Sequence, residues 1–219
     1  MLMRLLIGIF IAPALAVLAA ETSLDRRIAE LARAQADLKS SVGISVGVAR
    51  GDEVLRARGF GLANRDKRIP AEARTVYRIG SITKQFTAVA ILLLADEGKL
   101  KPDDRLTKFL PDYPAGDRVV TLRHLLHHTS GIRSLTSLPT YRRDMHLPLT
   151  HEESIARFSR EPFDFEPGER YRYCNSGYYL LGVVVEKVSG KTYAEFLTER
   201  VFEPVGMAST RYEGRGRPV

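Results

Sequence analysis

The hydrophobic pattern of the chain changes its period near Ser81. Before that point, residues 42–50 and 54–61 alternate apolar with polar positions and are rich in Val, which is typical of an antiparallel hairpin. After it, residues 82–94 and 177–188 are apolar on nearly every side, which predicts two helices buried in a core. An isolated hairpin is only marginally stable in water, so this one needs further structure to complete its sheet. The sequence therefore predicts an α/β fold with an early antiparallel sheet and a mostly helical remainder.

Local signals mark where the other helices begin. The predicted N-caps are Ser23, Thr150, Thr192 and either Asn175 or Ser176, and a short helix is predicted from Thr121. Thr150 with Glu153, and Thr192 with Glu195, have the spacing of a capping box, in which a hydroxyl and an acid satisfy two backbone amides. Gly190 has the position of a glycine that ends the second apolar helix.

The first twenty residues have the pattern of a secretory signal peptide. Arg4 precedes an apolar stretch over 5–20 that ends in small residues, as a signal cleavage site requires. We predict a signal peptide over 1–20, cleaved near Glu21, and a mature chain that is exported to the periplasm or secreted. No stable membrane span is expected after that cleavage. The alternative is an uncleaved membrane anchor, although the apolar stretch is shorter than the roughly 20 residues that a spanning helix needs.

The distribution of charge argues against a nucleic-acid-binding protein, and the cysteine content excludes a protein held together by disulfides. The formal net charge is +7, from 33 Lys and Arg against 26 Asp and Glu. The basic residues are spread along the chain and no run resembles a nucleic-acid motif, so no nucleic-acid partner is predicted. Cys174 is the one cysteine, which excludes an intrachain disulfide, and we predict that it is a buried thiol.

The first chemical motif is S-x-x-K, formed by Ser81 and Lys84 at the start of the first apolar helix. Residues three apart share a helix face, so the hydroxyl and the amine can meet. The positive end of the helix dipole favours an alkoxide at Ser81 and disfavours an ammonium at Lys84, so a neutral Lys84 can take the proton of Ser81. The backbone N–H of Ser81 is also in position to bind a developing oxyanion. The alternative is a helix-capping Ser followed by a solvated Lys.

The second chemical motif is Y-x-N, formed by Tyr173 and Asn175 just before the second apolar helix. A neighbouring cation lowers the pKa of a phenol from about 10, so Tyr173 can act as general base towards Ser81 and as general acid towards a leaving group. The amide of Asn175 can hold either Lys84 or a substrate carbonyl. The alternative is a core tyrosine followed by an asparagine helix cap.

Two other patterns are weaker. Ser45 lies in a G-x-S-x-G sequence over 43–47, but an alternating strand surrounds it, whereas a nucleophile elbow needs a strand, a sharp turn and a helix. His124, His127 and His128 would be candidate zinc ligands, but no H-E-x-x-H or carboxylate spacing accompanies them. We therefore predict no metal site and assign the three histidines to helix-end packing or to a loop.

Four sequence blocks occur in order along the chain. They are Y-R-I-G-S-I-T-K over 77–84, L-L-H-H-T-S-G over 125–131, P-G at 167–168 and Y-C-N-S-G-Y-Y-L-L-G over 173–182. Together they resemble the serine β-lactamase-related family, which comprises class C β-lactamases, DD-peptidases (penicillin-binding proteins) and esterases of the same fold. The resemblance runs from about residue 25 to 212.

The resemblance implies a serine hydrolase that works through an acyl-enzyme on β-lactams, D-Ala peptides or small esters, without a metal or organic cofactor. It implies that Ser81 is the nucleophile, Lys84 its proton partner and Tyr173 the general base and acid. Asn175 would contact the substrate and Lys84. The expected partner is a small-molecule or cell-wall peptide substrate. The alternative function is a non-catalytic fragment or binding relic of the same fold.

One motif of that family has no counterpart in this sequence. Its members carry K-T-G or H-x-G on a late strand, which also supplies an oxyanion donor; here Lys191-Thr192-Tyr193 comes nearest, but it follows Gly190 as a helix start. We therefore expect an incomplete β-lactamase/DD-peptidase-like fold that lacks its C-terminal strands, with a sheet part over 21–75 and a mostly helical part over 76–219. Loss of one oxyanion donor commonly costs about 10² to 10³ in turnover, so the chain is expected to be weakly active or inactive.

Overall fold

A computed structural model describes residues 11–36 and 42–213 of the chain. The first half of the predicted signal peptide, residues 1–10, lies outside the described residues. The helices are α1 (Ile11–Ala36), α2 (Thr83–Asp96), α3 (Leu122–Leu126), α4 (Tyr141–Asp144), α5 (His151–Ser159), α6 (Asn175–Ser189) and α7 (Tyr193–Leu197). The strands are β1 (Gly43–Arg50), β2 (Glu53–Asn64) and β3 (Ile69–Pro70). The chain divides into two compact units between Tyr77 and Arg78.

The first unit holds an antiparallel sheet in the order β1-β2-β3. β1 and β2 form the predicted hairpin, in a register that places Ser45 opposite Gly59, so the hairpin is confirmed. β3 is a strand that the sequence analysis does not predict. It is only two residues long and contains Pro70, so it carries no alternating pattern that a sequence could reveal.

Helix α1 begins before the predicted cap. Ser23 lies inside α1, so its assignment as an N-cap is wrong. The small and apolar residues before Ser23 continue the helix without a break, and a helix interior has no free amides for a serine to cap. Asp25 of α1 accepts a hydrogen bond of 2.8 Å from Arg56 of β2, within the first unit. Within the described part of the chain, no helix has the length and apolar character needed to cross a membrane.

The core lies in the second unit, around α2 and α6. Helix α6 buries seven of its residues, as its apolar sequence predicts. Helix α2 differs from the prediction of a fully buried helix: it buries Ala90, Ile91 and Leu94, whereas Val89 and Leu92 are 40% and 54% exposed. The apolar sequence therefore predicts the helix correctly, but neighbouring residues bury only one side of α2.

The capping predictions are largely confirmed. Thr150 and Thr192 each cap a helix as part of a capping box, as predicted. Thr121, predicted only as a helix start, also caps its helix through a capping box. Gly190 ends α6 in the left-handed conformation, with φ of +72°. Besides Ser23, the exception is the start of α6, where Cys174 is the N-cap residue and Asn175 is the first helical residue. Asn175 does not cap the helix because its side chain is engaged elsewhere.

Cys174 is a buried thiol, as predicted. Its side chain is 4% exposed and its Sγ donates to the carbonyl of Ile132 over 3.2 Å. Burial raises the pKa of this thiol, so it stays protonated and unreactive at neutral pH.

Candidate active site

Ser81 occupies an exposed position at the entrance to α2. It lies in a short 3-10 turn, Gly80–Ile82, that leads directly into the helix. Lys84 follows one turn later, and its Nζ donates to Ser81 Oγ over 3.3 Å. The i, i+3 spacing of the motif therefore brings the amine to the hydroxyl, as the sequence predicts.

Tyr173 reaches the same hydroxyl from a distant part of the chain. Its Oη donates to Ser81 Oγ over 2.8 Å, although the two residues are 92 positions apart in sequence. The Nζ of Lys84 lies 4.7 Å from the centre of the Tyr173 ring, within the range of a cation–π contact. Ser81 Oγ thus accepts hydrogen bonds from Lys84 and from Tyr173.

Asn175 completes the group through Lys84. Its Oδ1 accepts a hydrogen bond of 2.8 Å from Lys84 Nζ. An ammonium group can only donate, so the amide oxygen must face Lys84 and the amide nitrogen must face away. That nitrogen donates to Thr136 Oγ1 over 2.9 Å, which holds the amide in this orientation. The structure therefore brings together all four predicted site residues.

The environment of Tyr173 makes its phenol more acidic than that of an ordinary tyrosine. Burial of the ring opposes ionisation, but the hydrogen bonds with Lys84 and Ser81 and the charge of Lys84 outweigh it, so the pKa of the Tyr173 phenol is lowered. Nearby Tyr178 shows the opposite shift, since burial raises the pKa of its phenol. Of these two tyrosines, Tyr173 is the one suited to accept a proton.

Sequence reasoning missed the residues that hold the Asn175 end of the site. Ser134 Oγ accepts from the backbone N–H of Asn175 over 3.1 Å. Ser176 is fully buried; it donates to the carbonyl of Arg133 over 2.8 Å and accepts from the amide of Leu135 over 2.7 Å. These hydroxyls lie in a loop and at a helix start, where Ser and Thr are common for many reasons. No spacing rule marks them in the sequence.

The two weaker patterns lie in strand and helix-end positions. Ser45 lies within β1 of the first unit, where its Oγ donates to the carbonyl of Glu72, so the G-x-S-x-G sequence is not a nucleophile elbow. His124 takes part in the capping box of α3, and His127 is exposed. His128 packs beside Tyr173 at the candidate active site. In the described ranges, no His, Cys, Asp and Glu side chains are grouped to hold a metal ion.

Comparison with known proteins identifies the family of the chain. The sequence model of the family described as Beta-lactamase matches residues 28–216. The chain therefore belongs to the beta-lactamase family, and its mixed helix and sheet structure has the fold of that family's β-lactamase, penicillin-binding and esterase members.

Three relatives illustrate the breadth of this family. Penicillin-binding protein 4* of Bacillus subtilis is 35% identical over 169 residues, which cover 76% of this chain and 37% of that protein. The octameric penicillin-binding protein homologue from Pyrococcus abyssi is 40% identical, with a TM-score of 0.72 over 85% of this chain and 43% of that one. EstCE1, a hydrolase with promiscuous acyltransferase activity, is 27% identical, with a TM-score of 0.77 over 86% of this chain and 53% of that one. The chain thus spans about a third to a half of the length of these relatives.

Proposed function

We propose that the chain is a serine hydrolase that forms an acyl-enzyme at Ser81. Ser81 Oγ attacks the carbonyl carbon of the substrate, and its proton passes to Tyr173, which is held as a base by Lys84. Tyr173 then returns that proton to the leaving nitrogen or oxygen as the substrate bond breaks. Water attacks the ester at Ser81, and the acid product leaves while the Ser81 hydroxyl forms again.

The observation that carries this proposal is the convergence of two donors on one exposed hydroxyl. Lys84 and Tyr173 both donate to Ser81 Oγ, at 3.3 Å and 2.8 Å. A capping serine has no need of either partner, and a solvated lysine would not contact an amide oxygen 91 residues away in sequence. A nucleophile within hydrogen-bond reach of a base, with that base held by a third group, is the arrangement of activated serine hydrolases.

We propose β-lactams, D-Ala peptides and small esters as the substrate classes. The names of the relatives support β-lactams and acyl transfer, since they include penicillin-binding proteins and a hydrolase with acyltransferase activity, whereas D-Ala peptides and small esters are what the sequence resemblance implies. Asn175 would take part in substrate binding, because one hydrogen of its Nδ2 is used by Thr136 and the other can reach a substrate carbonyl. The backbone N–H of Ser81, at the start of a helical turn, would bind the oxyanion.

Acylation by a penicillin tests the proposal directly. Intact mass spectrometry after incubation should show one added penicilloyl group, and peptide mapping should locate it at Ser81. The matched control is Ser81→Ala, which should take up no label. A folded chain that gains no mass with penicillin, with a D-Ala-D-Ala thioester and with an activated ester would instead support a non-catalytic binding role.

Export of the chain also remains a proposal. The support is the pattern of Arg4, the apolar stretch over 5–20 and the small residues before Glu21. N-terminal sequencing of the protein from the periplasm or medium of an expressing bacterium should begin near Glu21. A protein that retains Met1 and sediments with membranes would favour the membrane-anchored alternative.

A further inference from the structure

His128 lies beside the active site in an unusual backbone conformation. Its φ is +58°, in the left-handed region that residues other than glycine seldom adopt. The conformation turns the chain at the end of α3, so that the imidazole and the carbonyl of His128 both face the segment before α6. The proposed function gives His128 no task of its own.

Two hydrogen bonds from that segment end on His128. The backbone N–H of Arg172 donates to the carbonyl of His128 over 2.9 Å. The backbone N–H of Cys174 donates to Nδ1 of the same residue over 3.1 Å. These are the two amides on either side of Tyr173, so one residue fixes the backbone before and after the proposed base.

The imidazole also packs against the Tyr173 ring. The two ring centres are 4.6 Å apart with an angle of 34° between the planes. Tyr178 lies 5.0 Å from His128 at the same angle, and Tyr171 meets the imidazole edge-on at 5.9 Å. Tyr178 is itself anchored, because its Oη donates to the carbonyl of Leu126 over 3.0 Å. The Tyr173 phenol therefore has little freedom to move away from Ser81.

The hydrogen bond from the backbone N–H of Cys174 requires an unprotonated Nδ1 on His128. A ring nitrogen that accepts a hydrogen bond carries no proton, so the neutral imidazole holds its proton on Nε2. Burial and the charge of Lys84 lower the pKa of His128, which keeps the ring neutral at physiological pH. The titratable groups that face it are Lys84, Tyr171, Tyr173 and Tyr178.

We propose that His128 is a positioning residue. By accepting hydrogen bonds from the amides of Arg172 and Cys174, it keeps the Tyr173 hydroxyl within hydrogen-bond distance of Ser81. Its catalytic consequence rests on the proposed function, since Tyr173 must be the base for its position to affect the rate. The placement of Tyr173 itself does not depend on that function. Two measurements therefore test the two claims separately.

His128→Asn and His128→Gln form a matched pair for the test. The Oδ1 of Asn occupies the place of Nδ1 and can accept from Cys174, and Asn tolerates a positive φ. The carbonyl oxygen of Gln lies one atom further out and cannot. His127→Gln, at the exposed neighbouring position, is the control for any general effect of substitution in this turn.

The first measurement is the titration of Tyr173 by NMR of ring-labelled tyrosine, with its signal assigned by loss in Tyr173→Phe. In His128→Gln the Tyr173 midpoint should move up towards the ordinary value of about 10, whereas His128→Asn and His127→Gln should stay near the wild type. If His128→Gln fails to fold, His128→Gly replaces it: glycine tolerates the positive φ but offers no side-chain acceptor to Cys174, so the midpoint should again rise. An unchanged Tyr173 titration in the folded Gln or Gly variant would overturn the proposal.

The second measurement is the rate of penicillin acylation at saturation. A misplacement of about 1 Å can cost about 10²-fold in rate, so His128→Gln should be slowed about 10- to 100-fold with the half-saturating concentration within about twofold. His128→Asn should recover most of that loss. Equal rates in the Gln variant and the wild type would overturn the positioning role, whereas a wild type that is never acylated would refute the proposed function and leave the titration to decide on His128.

Discussion

Ser81 Oγ accepts hydrogen bonds from Lys84 and Tyr173, and the two donors differ in what holds them. Lys84 Nζ donates a hydrogen bond to Asn175 Oδ1, and Asn175 Nδ2 donates in turn to Thr136 Oγ1. Tyr173 has a lowered pKa, so of the two phenols near Lys84 it is the one that can readily lose its proton. These differences allow the contribution of each residue to be tested separately.

Replacing Tyr173 by Phe removes the proposed base and keeps the ring. Because Tyr173 is 43% exposed, loss of its hydroxyl should change the free energy of unfolding little. Loss of a general acid–base group should lower the acylation rate by about 10² to 10⁴. The check is stopped-flow acylation by a chromogenic β-lactam, with urea denaturation as the measure of folding. An unchanged rate would exclude Tyr173 as the base.

The acylation rate should depend on pH through the same phenol. A base acts when deprotonated, and the fraction of phenolate increases as the pH rises through the pKa. The rate should therefore rise with pH and level off, and the midpoint should lie below the ordinary value of about 10 because the pKa of Tyr173 is lowered. A pH–rate profile of wild type and Tyr173→Phe checks this. If the Tyr173→Phe variant shows the same rise in acylation rate with pH, that rise comes from a group other than Tyr173.

Thr136 offers a test of how Asn175 is oriented. Thr136→Val keeps the shape of the side chain but removes the oxygen that accepts from Asn175 Nδ2. A single hydrogen bond contributes about 0.5–1.5 kcal/mol, so the acylation rate should fall roughly 2- to 12-fold. Thr136→Ser keeps the acceptor and should retain a near-normal rate. If the Val and Ser variants react equally fast, the Thr136 contact does not support the site.

Among the larger elements, a contact between two loops brings Tyr173 into place. The loop over 128–131 forms backbone hydrogen bonds with the segment over 164–172, including Asp164 N–H to Gly131 and Gly168 N–H to Thr129, each at 2.8 Å. Gly131 is required for this contact: its φ is +72°, and a Cβ there would lie 1.9 Å from the carbonyl oxygen of Phe165.

Gly131→Ala should therefore destabilise the chain strongly. Overpacking costs about 1–3 kcal/mol, and the left-handed conformation adds to that cost. Gly190→Ala is the matched control, because Gly190 also has a φ of +72° but has open space where a Cβ would be. Urea denaturation of both variants should show the larger loss for Gly131→Ala. Equal losses of stability in the two variants would mean that the backbone around Gly131 and Phe165 can move apart without a cost in free energy.

Elements with local signals were predictable, and those that depend on packing were not. The capping boxes at Thr150 and Thr192 involve residues three apart, so the sequence alone contains the whole interaction. The hairpin has a repeating pattern on both strands. By contrast, β3 forms only because β2 offers it an edge, and the exposed side of α2 reflects which neighbours cover it.

Burial is distributed unevenly over the chain. Among the described residues up to Tyr77, the buried apolar side chains are Ala32 and Ala71, whereas the residues from Arg78 onward include the large buried side chains of α2, α6 and their neighbours. The family match spans 28–216 and so takes in both units. The sheet of the first unit has correspondingly little apolar burial of its own to stabilise it.

Hydrogen exchange should reflect this distribution. Regions with few buried apolar contacts open locally at low free energy, so amides of the β1–β2 hairpin should exchange well before those of α2 and α6. Native-state exchange followed by mass spectrometry measures both sets in one experiment. Protection of the hairpin equal to that of α6 would contradict this expectation.

Local sequence patterns were sufficient to identify the S-x-x-K motif, the Y-x-N motif, the two apolar helices and the capping boxes at Thr150 and Thr192. Each of these depends on residues within one or two helical turns, where backbone geometry alone decides which side chains can meet. The spacing of Ser81 and Lys84 could therefore be interpreted chemically before any fold was known.

The tertiary structure alone decided how these motifs combine. The contacts of Tyr173 with Ser81, of Asn175 with Lys84 and of Cys174 with His128 join residues 92, 91 and 46 positions apart. No periodicity encodes such contacts, because they arise from the packing of α2 and α6 and from the loop turned by His128 and Gly131. The motifs name the chemical groups, and packing between distant segments sets the distances at which those groups can act.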